Sequence, residues 1–523
     1  MNHNDIRYNI EKVLSILFSF LFVLIVFNAI FFNKVIQINF SSAILLIGSI
    51  SVIAILIILY KITNLWYDKL KDILKKYKYL ILIIIFGIQL LLARLIYAPS
   101  GWDCGLLIGN SFNMYKGLGV DTNYFSTYPN NILTLLIFKY LYVIVGLFTN
   151  VNTENYYFIT IVFNIIVIDM GAIFTILTCK KLLGEKTTLL SLFFILPLIV
   201  FFPYIIVPYT DTLTLFIPIA IFYFYLKIKD NTKMKYLYIF IEGILLIGGY
   251  LLKPTCAIIG IAIIIIEMFY INIRDLKNIK NILKDIIIMA LIFIIGMTTT
   301  YITYHYLKNK NLSKYITNEQ YESNTITFTH FIMMGMQKSD VNGKAMYGAY
   351  NEQDVINTKS KSGKEEKQKY NIQIIKQRLE KMGVTGYLKF IYNKMNWVLS
   401  DGTFYYWQEG SQKYLPISQD KISKIVQKYF DKDSLEYNKI TANIFEILWI
   451  VILIGIICSF KNKEKNINIL KLSALGIILF IIVFEGRSRY IYNYIPVFII
   501  LGTLGIKNII YYIENKPIKK ENK

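Results

Sequence analysis

Six ionisable residues of this chain flank long apolar runs. Asp103 follows one in APSGWDCG, Asp211 sits in FFPYIIVPYTDT, Lys253 in GGYLLKPT, and Glu485, Arg487 and Arg489 in FEGRSRY. A charge within a membrane span costs about 3 kcal/mol on insertion scales, so such residues need a local reason and are the best pointers to a site. Gathered in one cavity, acids and cations of this kind suit group transfer from a lipid-borne phosphate. The cations hold the leaving phosphate, an arginine as a fork on two oxygens and a lysine as a point charge. One carboxylate takes the proton of the attacking hydroxyl. Asp103 is the candidate base, and Lys253, Arg487 and Arg489 are the candidate phosphate ligands.

Each of these residues has a plainer reading as well. Asp103 beside Gly101 and Trp102 also fits an interfacial turn with a belt tryptophan. Asp211 fits a helix N-cap or first-turn acid. Lys253, Arg487 and Arg489 fit cations that snorkel to lipid headgroups. Asp169, Glu242 and Glu267 fall inside spans and read as interhelical hydrogen-bonding groups. His330, in TFTHFIMMGM, reads as a loop residue. The chain has no Gly-rich phosphate loop, no HExxH and no His/Cys cluster, so the sequence implies neither nucleotide hydrolysis nor zinc proteolysis. Its four cysteines are too scattered for a disulfide framework.

The elements that must position these groups are membrane helices. Of the 523 residues, 55% are hydrophobic and 17% charged, against roughly 25% charged in soluble chains. Apolar runs of about 20 residues, the length that crosses ~30 Å of hydrocarbon, suggest about twelve spans. They fall near 13–32, 42–60, 79–97, 157–179, 187–206, 212–226, 236–252, 255–272, 285–305, 441–460, 467–484 and 491–511. The first has no small-residue cleavage site and reads as a retained anchor.

Lysine-rich connectors at 61–78, 180–186, 227–235, 274–284 and 461–465, and the tail 516–523, fall on one side of this scheme. The positive-inside rule then makes both termini cytoplasmic. Much of the formal charge of +22 is therefore topology, and nucleic acid is not an expected partner. An apolar run at 131–148 would invert every later connector if it spanned. It is expected to lie on the outer surface as an interfacial helix, within a first outer loop of 98–156. The expected division is a two-span extension at 1–78, a membrane core at 79–305, a small extracytoplasmic domain at 306–440, C-terminal spans at 441–511 and a basic cytoplasmic tail at 512–523. Within the outer domain, helical periodicity places Ile374, Leu379, Met382 and Leu388 on one face.

The order of these features resembles the GT-C superfamily of membrane glycosyltransferases that use polyprenyl-phosphate sugars, among them protein O-mannosyltransferases and aminoarabinose transferases. The likeness rests on Trp102-Asp103 just after a span, a first outer loop with an interfacial helix introduced by TYPNN, then PYTD, LKPT and EGRSRYIYNYIP. It is nearest to Gram-positive integral membrane members with YFSTYPNN, MGM, DGTF and ERxRY-like segments, and covers the chain from about residue 79 onward. The resemblance implies an all-α polytopic fold of GT-C type and inverting transfer of a sugar to an extracytoplasmic acceptor, with Asp103 as the catalytic acid residue of the first outer loop. It implies Trp102, Tyr128, Asn130 and Asn131 as substrate-binding residues of that loop, and Tyr209, Asp211, Glu485 and Tyr490 as those of the later segments. The expected partners are the polyprenyl-phosphate sugar, the acceptor and membrane lipid. No organic cofactor is implied, and a divalent metal stays open, because Cys104 stands where mannosyltransferases carry a second acid. The alternatives are a lipid-linked glycan polymerase and a flippase. A transporter would concentrate its charges on broken helices at the bilayer midplane, whereas these flank span ends.

Overall fold

The computed structural model describes residues 3–33, 35, 38–230, 233–270, 279–341, 344–406 and 418–514. Residues 271–278, part of one predicted basic connector, and the tail from 515 lie outside the described residues. In hydrocarbon a lone segment satisfies its backbone only by closing its own i to i−4 bonds, so the apolar runs become helices. These are α1 (His3–Phe31), α2 (Ser42–Leu65) and α3 (Tyr67–Ile96). An excursion at one end of the bundle follows, made of α4 (Trp102–Lys116), α5 (Thr122–Thr127) and α6 (Ile132–Val145). The chain continues through α7 (Tyr156–Leu183), α8 (Glu185–Ile195), α9 (Thr210–Leu213), α10 (Phe216–Asp230), α11 (Lys235–Leu252), α12 (Ala257–Phe269) and α13 (Ile279–Leu312). Next come α14 (Asn318–Asn324), α15 (Phe328–Met334), an antiparallel pair of β1 (Lys338–Val341) and β2 (Lys344–Tyr347), α16 (Glu352–Lys359), α17 (Gly363–Leu399) and α18 (Lys421–Gln427). The bundle closes with α19 (Ala442–Cys458), α20 (Lys465–Val483) and α21 (Ile495–Glu514).

Eleven helices among the described residues are long and apolar enough to cross a membrane, and this is an all-α, multi-pass integral membrane protein. The expected twelfth span is the short helix Pro254–Phe269. It still joins the two ends of the bundle. Lys253 precedes it at one end, and at the other Tyr270 donates to Glu11 at 2.7 Å, while Glu267 accepts from Lys465 at 2.6 Å. The run expected to be interfacial forms the 14-residue α6, about 21 Å long at 1.5 Å per residue and too short to span unaided.

The core is one continuous apolar cluster around α19 and α21. Their backbones touch: a Cβ on Gly505 would fall 1.6 Å from the Gly455 carbonyl oxygen, so only glycine fits there. The first two helices belong to this core rather than forming an extension. Phe18, Phe22 and Ile25 of α1 are buried in it, and Asn33 donates to the Ser400 carbonyl at 2.7 Å and to Glu446 Oε1 at 3.2 Å. Nor does 306–440 stand apart. Trp397, Val398, Leu399, Phe404 and Tyr406 lie in the common core, with a small cluster of Ile326, Met334 and Val355 beside it.

The stripe expected on α17 is not its buried face. Leu379 and Leu388 are exposed, and the inward residues are Lys367, Asn371, Phe390 and Lys394. Gly383, at φ 60°, breaks the helix, so a single face cannot persist along it. Of the three acids inside spans, Asp169 accepts from Gln89 of α3 at 2.8 Å and Glu267 from Tyr225 of α10 at 2.5 Å, as interhelical groups should. Glu242 differs: its buried Oε1 has no hydrogen-bond partner among the described residues.

Candidate functional site

The functional side chains are delivered where helices break at one end of the bundle. Four 3-10 turns lie there: Pro129–Asn131, Pro203–Ile206, Pro254–Cys256 and Ser488–Tyr494. Three of them start on proline, whose missing N–H is no loss in a first turn and whose fixed φ redirects the chain. Each break presents polar residues that a continuous span could not carry: Tyr128 to Asn131, Tyr209 and Asp211, Lys253, and Arg487 to Tyr490. Beside them lies a cavity of about 470 Å³. Among the expected site residues, Asp103, Trp102, Tyr128, Asn130, Asn131, Tyr209, Glu485, Arg487, Arg489 and Tyr490 line it.

Asp103 occupies the first turn of α4. Its Oδ1 accepts from the Tyr124 hydroxyl at 2.7 Å and its Oδ2 from the Tyr209 hydroxyl at 3.1 Å. Asn131 Nδ2 donates to the Tyr124 oxygen at 2.7 Å, completing a chain from the TYPNN turn to the carboxylate. Burial, with the Asp103 charge second, pushes both phenols well up, so they remain donors. A carboxylate has about four lone-pair sites. Two phenols therefore orient Asp103 and leave it room to take a proton.

Arg487 is held between two rings, with its guanidinium carbon 5.4 Å from the Trp102 centroid and 4.9 Å from that of Tyr405. Trp102 (φ 59°), Phe404 (φ 47°) and Tyr405 (φ 62°) are the non-glycine residues with positive φ among those described. Two of the three thus face Arg487, and strain of about 1–3 kcal/mol each persists only where surrounding structure enforces it. The DGTF segment supplies that enforcement. Asp401 accepts from the Thr403 hydroxyl at 2.5 Å, the Tyr405 amide at 3.1 Å and the Ser488 hydroxyl at 2.5 Å, so it ties the Tyr405 turn to the arginine loop. Arg489 lies over Tyr209 and Tyr490, at 5.1 and 5.3 Å.

Lys253 and Asp211 do not line the cavity. Lys253 pairs directly with Asp211, whose other oxygen is 3.8 Å from Arg489 Nη1. This corrects the expected phosphate role of Lys253 and the substrate contact of Asp211. The lysine charge is neutralised behind the wall, and the pair instead supports Arg489. Burial raises the Glu485 carboxyl against the pull of Arg487 and Arg489. Among the described residues no three of His, Cys, Asp or Glu converge on a point, so they form no cage for the divalent metal left open by the sequence.

Another part of the wall comes from the segment after α13. His330, Phe331, Met334, Tyr350 and Val355 line it. His330 is on helix α15 rather than a loop, and is 1% exposed. Its Nε2 has no hydrogen-bond partner among the described residues, at a cost of about 1–3 kcal/mol for a buried polar atom. Backbone pairing stitches this wall to the arginine loop: the Glu485 amide donates to the Phe331 carbonyl at 2.8 Å and the Gly486 amide to that of Gly348 at 2.9 Å. The MGM segment is what permits it, because a Cβ on Gly335 would sit 2.5 Å from the Phe484 carbonyl carbon. Sequence reasoning missed Tyr124, Tyr350, Val355 and Tyr405. Of these only Tyr124 had a signal, two helical turns before Asn131 in the same YFSTYPNN motif.

No curated protein and no solved structure matches the chain. A family model described as conserved hypothetical integral membrane protein spans residues 6–510, the first two helices included, and the chain belongs to that family.

Proposed function

We propose that the protein transfers a sugar from a polyprenyl-phosphate donor to a hydroxyl-bearing acceptor at the outer face of a bacterial plasma membrane. The observation that carries this reading is that Asp103, oriented by two phenols, shares one cavity with two ring-stacked arginines at the end of the spans. The acceptor hydroxyl gives its proton to Asp103 as its oxygen bonds to the anomeric carbon. On the opposite face the bond from that carbon to phosphate oxygen breaks, the electron pair leaves with polyprenyl phosphate, and Arg487 and Arg489 hold the growing charge. A single displacement of this kind inverts the anomeric centre. The GT-C resemblance supports the same assignment. The outward placement rests on the positive-inside reading of the lysine connectors, two of which are described at the end away from the cavity: Lys180 lies 2.7 Å from Glu185, and Lys465 2.6 Å from Glu267.

Release of polyprenyl phosphate from a panel of polyprenyl-phosphate sugars by the purified protein tests the reaction, and silence on the whole panel rejects it. Orientation is tested separately with cysteines at the exposed positions Asn150 and Ser360. An impermeant thiol reagent should label both on intact cells, and should leave a cysteine at Lys186 unlabelled.

A further inference from the structure

The wall behind α13 carries a buried polar chain that ends at the cavity. His330 Nδ1 lies 2.8 Å from Thr358 Oγ1. Thr358 donates its one hydroxyl hydrogen to Asn371 Oδ1 at 3.0 Å, so its oxygen meets the imidazole as an acceptor. With the hydroxyl hydrogen so assigned, the ring proton belongs on Nδ1 and Nε2 carries the lone pair. Asn371 donates onward to Thr329 Oγ1 at 3.2 Å, and both Thr358 and Asn371 are fully buried. The charged neighbours are engaged elsewhere, since Arg378 grips Asp354 through two bonds of 2.7 and 3.0 Å. The result is a buried histidine of the cavity lining whose Nδ1 is engaged by Thr358 and whose Nε2 has no hydrogen-bond partner among the described residues.

We propose that His330 Nε2 accepts a hydrogen bond from a hydroxyl of the transferred sugar, which makes His330 a specificity-determining residue of the donor site. The inference rests on the glycosyl-transfer reading and adds to it what the donor must carry: a sugar hydroxyl that meets His330. Burial lowers the imidazole pKa to about 4, so the ring remains a neutral acceptor across physiological pH.

Two substitutions separate this contact from a structural role. His330→Gln can put an amide oxygen where Nε2 was but gives up the Thr358 bond. His330→Asn keeps a donor for Thr358 and has no atom at the Nε2 position. With a polyprenyl-phosphate hexose, His330→Asn should lose about tenfold in kcat/KM and His330→Gln about threefold or less, the scale of one neutral hydrogen bond. With monodeoxy versions of that donor, the wild type should discriminate against one of them about tenfold, and His330→Asn should not. The reverse order, with Asn near wild type and Gln impaired, or discrimination that survives in His330→Asn, overturns the proposal. The chain has only three histidines, so imidazole nitrogen NMR gives a second readout: the Nε2 resonance of His330 should move on donor binding, and a fixed resonance rejects the contact. If the wild type is silent on every donor, glycosyl transfer and the His330 role fall together. If the wild type turns over, Asp103→Asn is silent and His330→Asn matches the wild type, only the His330 role falls.

Discussion

The two ends of the bundle use the same side chains in opposite ways. At the lysine-rich end, Glu185 gathers Lys71 at 3.0 Å and Lys180 at 2.7 Å, all three at least a third exposed, and Glu267 gathers Lys229 and Lys465. Such pairs tie connectors together in water and contribute little to stability. At the other end Asp211, Lys253 and Arg489 meet with almost no solvent. Burial makes those charges costly, and removing one partner leaves the others uncompensated. On the proposed function, charge at the first end follows topology, while the buried pair at the second supports the cavity-lining Arg489. Substitutions of similar chemistry at the two ends should therefore have unequal effects.

The largest effect is expected at Asp103. Asp103→Asn keeps the shape and can still accept from one of the two tyrosines through its amide oxygen, but cannot take a proton. Turnover of the polyprenyl-phosphate donor should fall about 10² to 10⁴-fold with the fold intact. More than a tenth of wild-type turnover would remove Asp103 as the base and erase the sharpest contrast between the ends.

Next comes the buried pair. Asp211→Asn strands Lys253 and Arg489 and should cost about 3–5 kcal/mol of stability, read as a clear drop in Tm. Adding Lys253→Met should restore part of it, because it removes the nearer of the two stranded cations and leaves Arg489 alone without the acid. If the double variant is no better than the single, the acid interacts with Arg489 alone and the account of Lys253 fails.

The arginines follow. Arg487→Ala or Arg489→Ala should weaken donor handling about ten- to a hundredfold, the equivalent of one charge-assisted bond of about 1.5–3 kcal/mol. Arg487→Lys keeps the charge but loses the planar group that lies between Trp102 and Tyr405, so it should also be impaired. Unchanged donor dependence in Arg487→Lys and in both alanine variants would return these residues to snorkelling cations.

Much of this arrangement was legible in the sequence because a membrane forces polar residues to the ends of apolar runs. Asp103, Tyr209, Arg487 and Arg489 each flank such an end, and the parity of lysine connectors placed those ends on one side. Which cation meets which acid was not legible. Lys253 and Asp211 are 42 positions apart, and nothing in their spacing says that they pair behind the wall instead of facing a ligand. His330 and Tyr405 were hidden for a related reason. Their roles depend on how the segment after α13 folds back, with Asp401 reaching Ser488 across 87 positions. The α17 stripe misled because Gly383 resets the helical phase midway, so a pattern counted through it has no single face.

The smallest effect is expected at Glu185, and it is the control on which the comparison depends. Glu185→Gln removes an acid that accepts from Tyr67 and faces Lys71 and Lys180, more partners than Asp211 has. A count of contacts would rank it above Asp211. Solvent reverses that order. Lys71 and Lys180 are 53% and 56% exposed at the side chain, so water and counter-ions replace the lost carboxylate and no buried charge is stranded. Turnover should be unchanged and Tm should not move measurably, at low salt or high. A drop in Tm matching that of Asp211→Asn would show that the lysine-rich end is held by its ion pairs, and the distinction between a topological and a ligand-facing end would have to be abandoned.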